Sequence, residues 1–157
     1  MGAFSQASNR LAPLVKPQPA HHAIVVIDET SIFPEDGSES FGWVALDGDT
    51  HEAILSWVTQ GRGGLEALIF LKNVLRHCTN RPFVRVGRGV GYPRALDTLG
   101  IKWKVQRGGR RSLVESFFGS LKWRIQRMHR RPRAWHTMAT LRRILQVHLW
   151  NWNGALL

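Results

Sequence analysis

The sequence predicts an α/β domain, a mixed β-sheet covered by helices, and three observations carry that expectation. The run H-A-I-V-V-I-D, from residue 22 to 28, is continuously apolar between its first and last residues, as befits a strand buried on both faces. A hairpin pattern follows over residues 41 to 58, and beyond residue 63 segments of helical spacing alternate with strand-like ones. Three antiparallel strands followed by two further strands set between helices imply one mixed sheet in a layered domain, with two helices closing the chain.

The elements follow in order. Residues 1 to 22 carry Ser, Gln, Asn and the prolines Pro13, Pro17 and Pro19 without periodicity, and read as a tail or linker. The first strand ends in Asp28-Glu29-Thr30. F-G-W-V-A-L and A-I-L-S-W-V flank the turn-forming D-G-D-T and make the hairpin. Leu65, Leu68, Ile69, Leu71 and Leu75 fall at helical spacing, giving an amphipathic helix over about 63 to 78. Pro82 precedes a short strand, F-V-R-V. Y-P-R-A-L-D-T-L-G is a short helix with Pro93 in its first turn and Gly100 as its stop. I-K-W-K-V-Q alternates apolar and basic residues and reads as a half-buried strand, and helices over about 110 to 130 and 134 to 152 complete the chain.

A chain of 157 residues can bury a core as one domain. No apolar run approaches the roughly 20 residues that span a bilayer. The start, M-G-A-F-S-Q, has neither the basic opening nor the apolar centre of a secretory signal, and the single Cys78 excludes an internal disulfide. The cytoplasm is the expected location. The net charge of +11 is unevenly placed: residues 1 to 80 hold 5 Lys/Arg against 9 Asp/Glu, whereas residues 81 to 157 hold 17 against 2. The basic half also holds five of the seven tryptophans. Such a field attracts polyanions, with nucleic acid as the leading partner and a solvated basic face or an anionic lipid surface as the alternatives.

The stretch V-G-R-G-V-G-Y, residues 86 to 92, invites a phosphate-cradle reading. Its glycines do not fit G-x-G-x-x-G and no G-K-[ST] follows, so that reading fails. Carboxylates are the more informative groups, because chemistry on phosphodiesters commonly uses hard divalent ions held by converging acids. Asp28 is one candidate, closing the first strand. Glu115 is the second. In R-S-L-V-E-S-F-F-G-S-L-K-W-R-I-Q-R-M the residues Leu113, Val114, Phe117, Phe118, Leu121, Ile125 and Met128 share one helical arc, and Glu115 lies just off it with Gly119, Lys122 and Gln126. That stripe suits a metal ion beside a phosphate, or equally a solvated helix edge. Strand alternation turns Glu29 to the face opposite Asp28. The seven histidines and Cys78 show no zinc-ligand spacing. Trp150, with Leu141, Ile144, Leu145 and Leu149, reads as core.

Three segments together, I-V-V-I-D-E-T, V-G-R-G-V-G-Y-P-R-A-L-D-T-L-G-I-K-W-K-V and G-G-R-R-S-L-V-E-S-F-F-G-S-L-K-W-R-I, resemble the catalytic domain of archaeal and bacterial insertion-sequence transposases of the DDE type. The likeness covers about residues 23 to 152 and implies an RNase H-like fold for 23 to 157. It further implies DNA as substrate, Mg²⁺ or Mn²⁺ as cofactor for phosphodiester cleavage and strand transfer, and a homodimer as the assembly to test. Asp28 matches the family's first Asp, Glu115 the Glu of an N-x-V-E-x-x-F-type helix, and Lys122 the basic residue seven positions later. Lys122, Arg124 and Arg127 are the expected phosphate contacts.

The family's second Asp belongs in a V-D-x-G-x-x-Y-type strand end. Aligning Tyr92, Pro93, Ala95 and Leu96 with that motif puts Gly87 in its place, and residues 85 to 92 contain no acid. Asp97, Asp36, Asp47 and Asp49 belong to other elements. A site short of one carboxylate has less negative charge to offset ion dehydration, so impaired catalysis is expected. With only about 22 residues before the first strand, the helix-turn-helix or zinc segment that related transposases place there has no room, and the chain reads as a truncated or decayed copy. A DNA-binding protein derived from a transposase is the alternative, and an RNase H-like nuclease with a rearranged acid set is a third.

Overall fold

In the computed structural model the described residues are 18–32, 39–89, 91–106, 111–128 and 138–155, with the side chains of 111, 112, 126–128, 138–140 and 155 left aside. Most of the expected tail, Gln126, and the side chains of Met128 and Arg127 therefore lie outside the described set. Five strands, β1 (Ile24–Ile32), β2 (Ser40–Asp47), β3 (Ala53–Thr59), β4 (Phe83–Val86) and β5 (Trp103–Val105), form one sheet in the order β3-β2-β1-β4-β5. The first three are antiparallel, and β4 and β5 run parallel to β1. Helices α1 (Gly64–Arg76), α2 (Tyr92–Leu99), α3 (Arg111–Met128) and α4 (Met138–Ala155) complete the fold.

Burial divides by strand parity into two cores, one on each face of the sheet. Val25 and Ile27 of β1 pack with Trp43, Phe70, Val84, Val86, Tyr92 and Leu96 under α1 and α2. Val26 packs on the other face with Val44, Leu46, Phe117, Leu121, Leu141 and Leu145 under α3 and α4. Residues one apart along a strand point to opposite faces, so a strand clad by helices on both sides must be apolar throughout. Strand β2 is buried at every position and meets this demand from Phe41 to Leu46, with the polar Ser40 and Asp47 at its ends. Around Trp43 the rings of Trp57, Phe70 and Tyr92 gather with centroids 6.4, 5.6 and 5.8 Å away, and the indole N–H donates to Thr59 Oγ1 at 2.7 Å.

The expected hairpin is present. At its turn Asp47 Oδ1 accepts the N–H groups of Asp49 and Thr50, both at 2.8 Å, while Oδ2 lies 2.6 Å from His22 Nδ1. His22 is buried, and Ala20 forms a parallel bridge with Cys78, so the end of the expected tail is built into the fold. Burial pushes the Asp47 carboxyl up, but the hydrogen bond with His22 and the N–H groups of Thr50 and Asp49 together hold it below its ordinary value. Asn153 of α4 clamps β3 by bonding both the N–H (2.7 Å) and the C=O (3.0 Å) of Ala53. Gly100 ends α2 in the left-handed conformation (φ 66°), as its position after the short helix predicts.

Three expectations need correction. Strand β1 does not end at Asp28; it continues to Ile32, because β2 supplies a partner for every residue from Val25 to Ile32 even though the sequence there turns polar. Helix α1 buries Ala67, Phe70, Leu71 and Val74, whereas Leu65 (67% exposed) and Ile69 (39%) face outward. The buried arc is centred one position away from the leucine count. Trp150 is 44% exposed: on α4 the buried face runs through Leu141, Ile144, Leu145, His148 and Leu149, and one further residue rotates about 100° off it. Among the described residues no helix is long and apolar enough to cross a membrane.

Candidate functional site

Strand β1 pairs with two neighbours of different length. Its ladder with β2 runs to Ile32, but its parallel ladder with β4 stops at the pair Ile27 and Val86. The next pair, Asp28 and Gly87, lies where the two parallel strands separate, at the carboxyl end of the ladder, and Gly87 N–H still donates to Ile27 O at 3.1 Å. Open α/β sheets present their ligand clefts at such strand ends.

Parity fixes which face carries the site. Asp28 shares the face of Val26, on the side of α3 and α4, and Gly87 shares the face opposite Val84 and Val86. The two residues therefore face the same cleft. An ideal Cβ on Gly87 would meet the Asp28 carboxylate, Oδ1 nearest, with Cγ at 2.5 Å and Oδ2 at 2.8 Å. A side chain at 87 points at Asp28, and the carboxylate now fills that space. Asp28 Oδ1 also accepts the N–H of Glu29 at 2.9 Å.

A pocket of about 80 Å³ opens here, walled by Val26, Ile27 and Val114 and given polar character by Asp28, Gly87, Arg88 and Gln106. Val114 reaches it from α3, held by the Val114, Phe117, Phe118, Leu121 and Ile125 stripe, which is buried as its spacing predicts. Glu115 follows one residue later and is exposed; Val114 lines the pocket and Glu115 does not. Lys122 and Arg124 are exposed further along α3. Glu29 turns to the opposite face, where its Oε2 accepts the Tyr92 hydroxyl. Burial and the negative charge of Glu29 push the Tyr92 phenol well up. Asp97 accepts the Trp103 indole N–H at 2.8 Å, remote from the Asp28 pocket in its bonding.

The donor set bears on a divalent ion. Hard cations take several converging oxygens, and a two-ion site takes several carboxylates. Among the described residues no three of His, Cys, Asp and Glu stand together to hold a metal ion, and the direction from which position 87 would contribute an oxygen is occupied by Asp28 itself. The described residues do not fit a two-ion centre.

The Gln106 side chain carries no motif and was missed by sequence reasoning. The available signal was alternation: continuing β5 by one residue puts Gln106 on the face of Asp28.

This topology, with the cleft at the end of β1 and β4, is an RNase H-like fold of the kind found in integrase catalytic cores. The chain is similar to the HTLV-2 integrase catalytic core domain solved with magnesium (TM-score 0.59, 15% identity, 85% of this chain and 86% of that one). It is also similar to the catalytic core domain of BIV integrase (0.53, 15%, 76% and 80%). A chain of the simian T-cell lymphotropic virus intasome, solved with PP2A regulatory subunit B56 gamma, gives a TM-score of 0.62 at 18% identity over 86% of this chain and 49% of that one. In sequence it is 33% identical over 109 residues to the uncharacterized protein MJ0017 of Methanocaldococcus jannaschii, covering 69% of this chain. The match spans 50% of that relative's length. No family model matches.

Proposed function

We propose that the chain is a DDE-type transposase domain of the insertion-sequence kind that acts on DNA in the cytoplasm, with phosphodiester cleavage and strand transfer impaired. The observation that carries this reading is the convergence of position 87 on the Asp28 carboxylate at the end of the parallel ladder. In this reading Asp28 and Glu115 are the retained acids, Gly87 stands at the lost one, and Mg²⁺ or Mn²⁺ belongs to the parent family. Lys122, Arg124 and Arg127 hold DNA phosphates and supply affinity without sequence readout.

The test has two parts. Fluorescence anisotropy with a labelled duplex across a salt series is expected to show binding that weakens steeply with salt. Replacing Lys122 and Arg124 together by alanine is expected to reduce the log–log slope by about 2, one phosphate each. Incubation of the same duplex with Mg²⁺ or Mn²⁺ is expected to leave it intact. Metal-dependent cleavage abolished by Asp28→Asn would show that the acid set is sufficient and would overturn the impairment.

The incomplete donor set favours a second reading, a non-catalytic DNA-binding protein derived from a transposase. Flanking inverted repeats around the gene favour a decaying element, and an isolated gene under its own promoter favours recruitment. A homodimer is the assembly to test, by sedimentation with and without DNA.

A further inference from the structure

The pocket beside Asp28 contains a group for which the parent chemistry has no use. Gln106 continues the β5 ladder by one residue, its backbone N–H donating to Val86 O at 2.8 Å. Its side chain therefore stands in one row with Asp28 and Gly87, across three neighbouring strands. The residue is 7% exposed, and among the described residues neither its Oε1 nor its Nε2 has a hydrogen-bond partner. A buried amide left unpaired costs on the order of 1–3 kcal/mol, so such groups ordinarily belong to a structural partner or a ligand. This one lines a pocket.

The ligand's chemistry follows from the lining. The amide presents one donor and one acceptor side by side, and its complement must present an acceptor and a donor at the same spacing. Asp28, when ionised, accepts only, so a ligand group that faces it is best a donor. A phosphate offers acceptors alone and would face a carboxylate. A nucleobase with an exocyclic amino group answers both: its ring nitrogen takes the Nε2 donor, and its two amino hydrogens reach Gln106 Oε1 and Asp28. Thymine can meet the amide, but its flanking carbonyl then faces Asp28. The apolar walls Val26 and Val114 suit the faces of a ring. The pocket of about 80 Å³ holds more than one water position, the scale of a small ring. Gly87 adds only backbone to the lining, the space beside it being held by the Asp28 carboxylate, and Arg88, exposed next to it, is placed for the adjoining phosphate.

We propose that this pocket binds an unpaired, amino-bearing nucleobase, cytosine being the one-ring case, and that Gln106 reads its edge. The inference rests on the DNA-binding reading above and assigns the base specificity of that site.

The experiment compares labelled single-stranded dC and dT oligonucleotides of equal length on the full chain by anisotropy at one salt concentration. The wild type is expected to bind dC about tenfold tighter, the scale of one good bidentate base contact. Gln106→Leu is expected to bring dC down to dT while dT affinity stays within about twofold. Gln106→Glu, which removes the donor, is the second variant should the first fail to fold. Free cytidine, added to the ¹⁵N-labelled wild type, is expected to shift one Gln side-chain amide, assigned to Gln106 by its loss in the variant; thymidine is expected not to. Equal binding of dC and dT, a preference that survives Gln106→Leu, or an unmoved amide would overturn the base pocket alone. Binding of neither oligonucleotide would overturn it together with the DNA reading.

Discussion

Placing an acid at position 87 is the sharpest perturbation the cleft allows. In Gly87→Asp the new Cβ enters the space of the Asp28 carboxylate, so Asp28 must rotate and release the Glu29 N–H it accepts at 2.9 Å. An off-rotamer or displaced side chain costs about 1 kcal/mol, and a hydrogen bond to a charged group is worth about 1.5–3 kcal/mol. Removing glycine's freedom from the unfolded chain returns about 0.4–1 kcal/mol. Two carboxylates about 4 Å apart repel by about 4 kcal/mol at an effective dielectric constant of 20, and the partial exposure of Asp28 reduces this to about 1–2 kcal/mol. Gly87→Asn carries the steric cost without the charge. In EDTA at pH 7 the Asp variant is therefore expected to melt below the Asn variant by roughly 2–8 °C, at about 2–4 °C per kcal/mol for a chain of this length. Mg²⁺ at ten times its dissociation constant returns about 1.4 kcal/mol, or roughly 3–5 °C, to the Asp variant only. The assay is thermal unfolding followed by circular dichroism. Equal melting of the two variants in EDTA, or an equal Mg²⁺ effect on Gly87→Asp and wild type, would refute the placement of position 87 against Asp28.

Two further outcomes test the cores on either face. His148 packs its ring 4.7 Å from Phe117 and lies with Nε2 3.1 Å from the Phe117 carbonyl, and burial, aided by the charge of Arg124, pushes it down to about 4. The unfolded chain then binds a proton that the fold refuses, so stability is full above about pH 6.5 and falls by up to about 3 kcal/mol on acidification toward pH 4. Urea midpoints for His148→Phe are expected to lose that slope, and a slope unchanged from wild type would assign it to other groups. On the other face, Tyr92→Phe deprives the Glu29 carboxylate of its phenol donor and is expected to cost about 1–2 kcal/mol in urea unfolding; a neutral effect would mean that water replaces the hydroxyl.

Legibility in the sequence followed how local each cause is. The apolar run of β1, the D-G-D-T turn and the Val114 to Ile125 arc are written in neighbouring residues, and each element forms where its pattern stands. The opposite turn of Glu29 was readable because strand parity needs only the strand itself; Asp28 was read as the acid after an apolar run, and Gly87 through the resemblance alone. The extension of β1 through Thr30 and Ser31 was not, since those residues are held by β2 rather than by their own propensity. Trp150 and Leu65 were misjudged because helical periodicity marks an apolar stripe without saying how much of its width a neighbour covers. Gln106 was invisible for a related reason: a lone polar residue at a strand end becomes a buried amide only when α3 and β4 close around it.

The adjacency of Gly87 and Asp28 also has a genetic side. The glycine codons GGU and GGC each lie a single nucleotide from an aspartate codon, so from either of them an acid at position 87 is one point mutation away. The backbone ladder that would aim it, from Ile27 to Val86, is intact. The space itself is taken: Asp28 leans into the room a side chain at 87 would need, and beside β4 stands an amide with no partner among the described residues. A revertant would have to evict the first and tolerate the second. Selection screens for regained activity should therefore recover changes at 106 together with changes at 87.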